Sequence, residues 1–182
     1  MIKKRVIKAY NFSKQKHDGQ KRKFSNLDYF VHPKWVARKV EELTKDEDLV
    51  IVALLHDVIE DTDTSYEEIN KVFGKKIADL VYELTNDNIL KVQMGKKAYM
   101  SYSINKMSSD AFTVKLVDRL HNVLFLEGDE ADKNFIRWYW KETKYILEHL
   151  KRENSLINKV QLAIIHRVQA VLDFLEIRYE FK

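Results

Sequence analysis

A chain of 182 residues with 45% hydrophobic and 33% charged side chains can both bury a core and cover it, which excludes a disordered or collagen-like polypeptide. The 32 Lys and Arg exceed the 28 Asp and Glu by only four, and the absence of cysteine excludes disulfides, thiol nucleophiles and cysteine zinc sites. Four glycines and one proline leave little for hairpins or phosphate-cradling loops, so the predicted fold class is all-α: one compact domain over residues 1–182, built from about eight or more helices.

In chain order, a first helix is predicted over residues 2–17, ending near Asp18-Gly19, and the polar stretch KRKFSNLD follows as a loop. Pro33 suits a first helical position, so the next helix starts at His32-Pro33 and runs through Trp35, Val36, Val40 and Leu43. Asp46 is a candidate N-cap for EDLVIVALLHDVI, whose apolar front marks a central helix surrounded by others. Ser65 and Glu68 have capping-box spacing and announce a helix that ends at Phe73-Gly74. Further helices are predicted over 75–85, 91–106, 109–126, 131–151 and 154–178.

The longest uninterrupted apolar run, Leu49 to Leu55, is seven residues, too short to span a bilayer, and the basic start MIKKRVIKAYNFSK lacks the apolar centre of a signal peptide. A soluble, cytoplasmic protein is the expectation. Residues 1–40 carry twelve basic and two acidic side chains, so an anion could dock near that end. No aromatic stripe interleaves with those charges, and nucleic acid is not the expected partner.

The most apolar helix ends in His56-Asp57 and is followed at once by Glu60-Asp61, which places four ionisable groups where the pattern predicts core. Buried charge at that density needs a partner, and a divalent metal is the simplest one. His32, at the start of a helix after YFV, and Asp118, inside the apolar run FTVKLVDRLHNV, could supply further ligands.

Taken together, the segments HDGQKRK, DYFVHPKWVA, ALLHDVIEDTDTSYEEI, VFGKKIADLVYELTND and VKLVDRLHNV resemble the HD-domain alarmone hydrolases. That family comprises the hydrolase half of RelA/SpoT proteins and stand-alone small hydrolases of the Mesh1 type. A bare His-Asp pair marks the superfamily, whereas HDVIEDT, with its added Glu-Asp, marks this branch. The resemblance implies that His32, His56, Asp57 and Asp118 hold one Mn²⁺ ion and that Glu60 and Asp61 orient or deprotonate the attacking water. It implies a guanosine alarmone substrate, (p)ppGpp, cleaved to GDP or GTP and pyrophosphate.

By the same resemblance, Arg22 and Lys23 contact the nucleotide and Asn122 lies at the base and ribose. Lys97 in GKKAYM resembles the family's basic residue before the Asp helix, a candidate for the basic rim, and Tyr139 in RWYWKE resembles a phosphate-contacting Tyr of the stand-alone enzymes. Arg119 beside Asp118 is expected to orient it through an ion pair. Nothing in the chain resembles the synthetase of the bifunctional enzymes, so synthesis is not expected.

The chain departs from the family in one segment: the stretch from Arg22 to His32 is one residue longer and reads KFSNLDYFV between those two residues. In relatives this loop lies over the guanine pocket, so base specificity is the property it touches. The alternatives are therefore the same chemistry on another phosphorylated nucleotide, such as a pyrophosphorylated adenosine or NADPH, or a catalytically silent nucleotide-binding or antitoxin module.

Overall fold

The computed structural model describes residues 4–128, 131–152 and 156–181. Among them are eleven helices and no strand, only an isolated bridge between Lys21 and Asp28, in agreement with the all-α expectation. None of the helices is long and apolar enough to cross a membrane. The chain divides into two compact units, Met1–Asn86 and Asp87–Lys182.

The first unit contains α1 (Lys4–Lys16), α2 (Val31–Thr44), α3 (Glu47–Leu55), α4 (Val58–Asp61), α5 (Tyr66–Phe73) and α6 (Lys75–Leu84). Its centre is α3, in which every residue from Leu49 to Leu55 is buried against α1, α2 and α6. The predicted Asp46 cap forms: its carboxylate accepts from the backbone of Asp48 and Leu49. Ser65 caps α5 through the Glu68 backbone, but the Glu68 side chain pairs with Lys16 at 3.3 Å. Full burial of a Leu, Ile or Val side chain is worth ~1.5–3 kcal/mol. Ile51 is completely buried, and Ile51→Ala should lower stability by ~2–5 kcal/mol, measured as a shift in the denaturant midpoint.

The loop between α1 and α2 is tied back on itself. The Arg22 amide donates to the Leu27 carbonyl at 3.0 Å and the Tyr29 amide to the Gln20 carbonyl at 2.9 Å. This closure fixes where the chain enters α2 and therefore where Tyr29 and His32 start.

The second unit contains α7 (Asn88–Met94), α8 (Lys96–Lys106), α9 (Ser109–Leu124), α10 (Lys133–Glu148) and α11 (Lys159–Tyr179). The single helix predicted over 91–106 is two, because Asp87 caps a start at Asn88 and Gly95 breaks the run at φ 76°. Twelve of the sixteen residues of α9 are buried, and α10 and α11 pack against it. A full capping box at Asn158 and Gln161 starts α11, and the Gln161 amide reaches Ser109 and Thr113 of α9.

Candidate metal centre and flanking groups

The apolar run that drives α3 into the core does not continue as one helix. It stops at Leu55, turns through His56 and Asp57, and restarts at Val58. On an unbroken helix, successive side chains project about 100° apart. The turn removes that separation, and His56 Nε2 lies 3.1 Å from Oδ2 of the adjacent Asp57. His32, in the first turn of α2, brings its own Nε2 to 3.2 Å from His56 Nε2 and 3.5 Å from the same Asp57 oxygen.

The tautomer follows from the second nitrogen of His56. Nδ1 lies 2.8 Å from the Ala53 carbonyl, which can only accept, so Nδ1 carries a hydrogen and, in the neutral ring, Nε2 presents a lone pair. Two imidazole nitrogens 3.2 Å apart beside a carboxylate oxygen require a proton or a cation among them. A first-row divalent ion with bonds of ~2.1 Å sets neighbouring ligands roughly 3.0–3.4 Å apart, and mixed imidazole and carboxylate donors suit such ions. The residues present therefore fit a metal.

Tyr29 had no assigned role in the sequence, yet its hydroxyl donates to Asp57 Oδ2 at 2.7 Å. Burial, and then the Asp57 and Asp61 carboxylates, hold its phenol far above the ordinary tyrosine range, so it acts only as a donor. The signal was present in the motif DYFVHP, but an aromatic three residues before a ligand reads as packing until the hydroxyl's partner is seen.

Glu60 and Asp61 differ in their surroundings. Both Glu60 carboxylate oxygens accept from the Asn86 side chain at 2.7 Å, and Asn86 adds its backbone amide at 3.3 Å. Asp61 lies at a more open edge. Partial desolvation, then the charges of Asp57 and Glu60, raise its carboxyl above the usual range, and the Tyr29 hydroxyl offsets part of that rise. Arg22 places its guanidinium 5.9 Å from the Tyr29 ring centre, whereas the exposed Lys23 covers Phe24 at 5.1 Å.

In the second unit Asp118 is buried within α9, and its carboxylate is held from both sides along the helix. Asn122 donates to Oδ1 at 2.6 Å and Lys115 pairs with Oδ2 at 2.9 Å. The Asn122 amide nitrogen, expected at a nucleotide, is thus engaged by Asp118. Arg119, expected to orient Asp118 through an ion pair, engages residues of α10. Adjacent helix residues face different neighbours, and Arg119 donates instead to Glu142 at 3.0 Å and Thr143 at 3.4 Å.

Tyr139 packs its ring 5.0 Å from the Arg119 guanidinium, and burial pushes its phenol up to about 12 despite that cation. Lys97 is exposed and lies over the Tyr145 ring at 4.1 Å. Its neighbour Lys96 is the lysine that approaches the buried cluster, 3.6 Å from Glu142 and over Trp138. Burial lowers the Lys96 pKa, with Glu142 opposing the shift and Arg119 adding to it.

Comparison with known proteins gives a consistent family. Residues 9–152, which run across both units, match the HD domain. A guanosine-3′,5′-bis(diphosphate) 3′-pyrophosphohydrolase of Aquifex aeolicus is 42% identical over 120 residues, covering 65% of this chain and 17% of that protein. The chain thus spans about a sixth of that curated relative's length. The MESH1 pyrophosphohydrolase of Xenopus tropicalis is 32% identical over 158 residues, with 84% of this chain and 88% of that one covered. A solved structure described by the statement that "a metazoan ortholog of SpoT hydrolyzes ppGpp and plays a role in starvation responses" matches with a TM-score of 0.77. It is 28% identical, over 98% of this chain and 97% of its own.

Proposed function

This chain belongs to the HD domain family, in the branch that contains MESH1, and on that premise we propose that it is a metal-dependent hydrolase removing the 3′-pyrophosphate of guanosine-3′,5′-bis(diphosphate). The observation that carries the reading is the convergence of His32 Nε2, His56 Nε2 and Asp57 Oδ2 within 3.1–3.5 Å of one another. Asp118, buried and of ligand type like the two histidines, is proposed as the fourth ligand, and Mn²⁺ as the ion. The family match across both units supports treating residues 1–182 as one functional domain.

A divalent ion bound there supplies Lewis acidity towards a phosphoryl oxygen and makes water a stronger acid near neutral pH. The chain's own part is positional. The His56 tautomer, fixed by Ala53, keeps a nitrogen lone pair directed inward, while Lys115 and Asn122 stop the Asp118 carboxylate from rotating. Asp61 is proposed as the group that takes the proton of the attacking water: its raised pKa brings it closer to the working range of a general base. Glu60, clasped by Asn86, is proposed to orient that water. Arg22, Lys23, Asn122, Lys97 and Tyr139 are proposed to hold the nucleotide, the cations meeting its phosphates.

The test is incubation of purified protein with Mn²⁺ and ppGpp, resolving products by anion exchange. Stoichiometric GDP and pyrophosphate, abolished by chelator and restored by Mn²⁺, are expected. Intact ppGpp alongside cleavage of a pyrophosphorylated adenosine or of NADPH would overturn the substrate assignment.

A further inference from the structure

Tyr29 sits where three features of the first unit meet. Its hydroxyl donates to Asp57 Oδ2 at 2.7 Å, the same oxygen that lies 3.1 and 3.5 Å from the two histidine nitrogens. Its ring lies 4.9 Å from the ring of His17 and 5.9 Å from that of His32. Its backbone amide is fixed by the Gln20 carbonyl.

That support is itself braced. His17 is buried, and its Nδ1 lies 2.8 Å from Gln20 Oε1, while the Gln20 side-chain amide donates to the Asp61 backbone carbonyl at 2.7 Å. The end of α1, the 21–28 loop, and the segment carrying Asp57 and Asp61 are thereby linked through one glutamine and one tyrosine. His17 Nε2 is buried without a hydrogen-bond partner among the described residues, so the polar link runs through Nδ1 and Gln20 while the ring face packs on Tyr29.

A carboxylate oxygen has two lone-pair directions. When a hydroxyl donor occupies one of them, the other points in a fixed direction, and the carboxylate cannot spin about its Cβ–Cγ bond without breaking a charge-assisted hydrogen bond. We propose that Tyr29 is a positioning residue of the metal centre: its hydroxyl locks the Asp57 carboxylate with one lone pair of Oδ2 aimed at the cation, and the His17–Gln20 brace holds the tyrosine in place. The inference rests on the metal-centre reading above.

Tyr29→Phe removes the hydroxyl and keeps the ring contacts with His17 and His32. Titration of the metal-free protein with Mn²⁺, followed by the electron paramagnetic resonance of free Mn²⁺, should show affinity weakened about tenfold to a hundredfold. The signal of the bound ion should broaden, and the thermal midpoint of the metal-free protein should stay within a few degrees of wild type. Placing 3-fluorotyrosine at position 29, which restores a hydroxyl donor, should restore wild-type affinity. Equal affinities for wild type and Tyr29→Phe would overturn the assignment while leaving the metal centre standing. Failure of the 3-fluorotyrosine protein to recover would overturn it as well. Absence of Mn²⁺ binding by wild type itself would remove both this assignment and the metal reading.

Discussion

His56→Ala is expected to abolish Mn²⁺ binding and to reduce turnover of ppGpp by ~10³-fold or more, the scale of losing an essential member of a reacting group. The imidazole is buried, its Nδ1 is engaged by Ala53, and its Nε2 lies within 3.2 Å of both His32 Nε2 and Asp57 Oδ2. Asp57→Ala should behave alike through the loss of Oδ2. The check is a paired measurement, Mn²⁺ titration by calorimetry and pyrophosphate release, with circular dichroism to confirm an intact helical fold. Turnover surviving in either variant at more than a tenth of wild type would remove the metal centre from the mechanism.

The second large effect should separate chemistry from metal binding. Asp61→Asn keeps the size of the side chain and removes its capacity to take a proton, so kcat should fall by about 10²–10⁴-fold. Because Asp61 is not among the converging ligand atoms, Mn²⁺ affinity should change by less than tenfold. Glu60→Gln should cost less than Asp61→Asn. An amide at Glu60 would set its own N–H₂ against the Asn86 donor and displace the side chain, without removing the proposed proton acceptor. The two kcat values measured at saturating Mn²⁺ decide the order, and a larger loss in Glu60→Gln would reverse the two proposed roles.

The helix pattern was legible because it rests on local physics. Asp46 caps α3 and Gly74 closes α5, each as the sequence indicates, and Pro33 sits in the first turn of α2, which begins at Val31, just before the predicted start at His32-Pro33. Gly95 was one exception. A lone glycine inside a helical pattern is compatible with continuation, and only its φ of 76° shows that the chain breaks there.

The candidate ligands were legible because ionisable groups stood in an apolar run. Their arrangement was not: the pattern suggested one helix through His56 and Asp57, whereas the turn at those residues is what lets both side chains face one point. Pairings set by tertiary contacts were also hidden. Arg119 meets Glu142, 23 positions away, and Tyr29 meets Asp57, 28 positions away; nothing in a local window encodes either choice. The unlike environments of Glu60 and Asp61 arise in the same way, because Asn86 belongs to a segment 26 residues downstream.

The most direct test of the account is the anomalous diffraction of a Mn²⁺-soaked crystal measured at the manganese edge. The account predicts a single peak bonded to His32 Nε2, His56 Nε2, Asp57 Oδ2 and an Asp118 carboxylate oxygen. A peak held by other residues, or no peak at the histidine pair at saturating Mn²⁺, would contradict it.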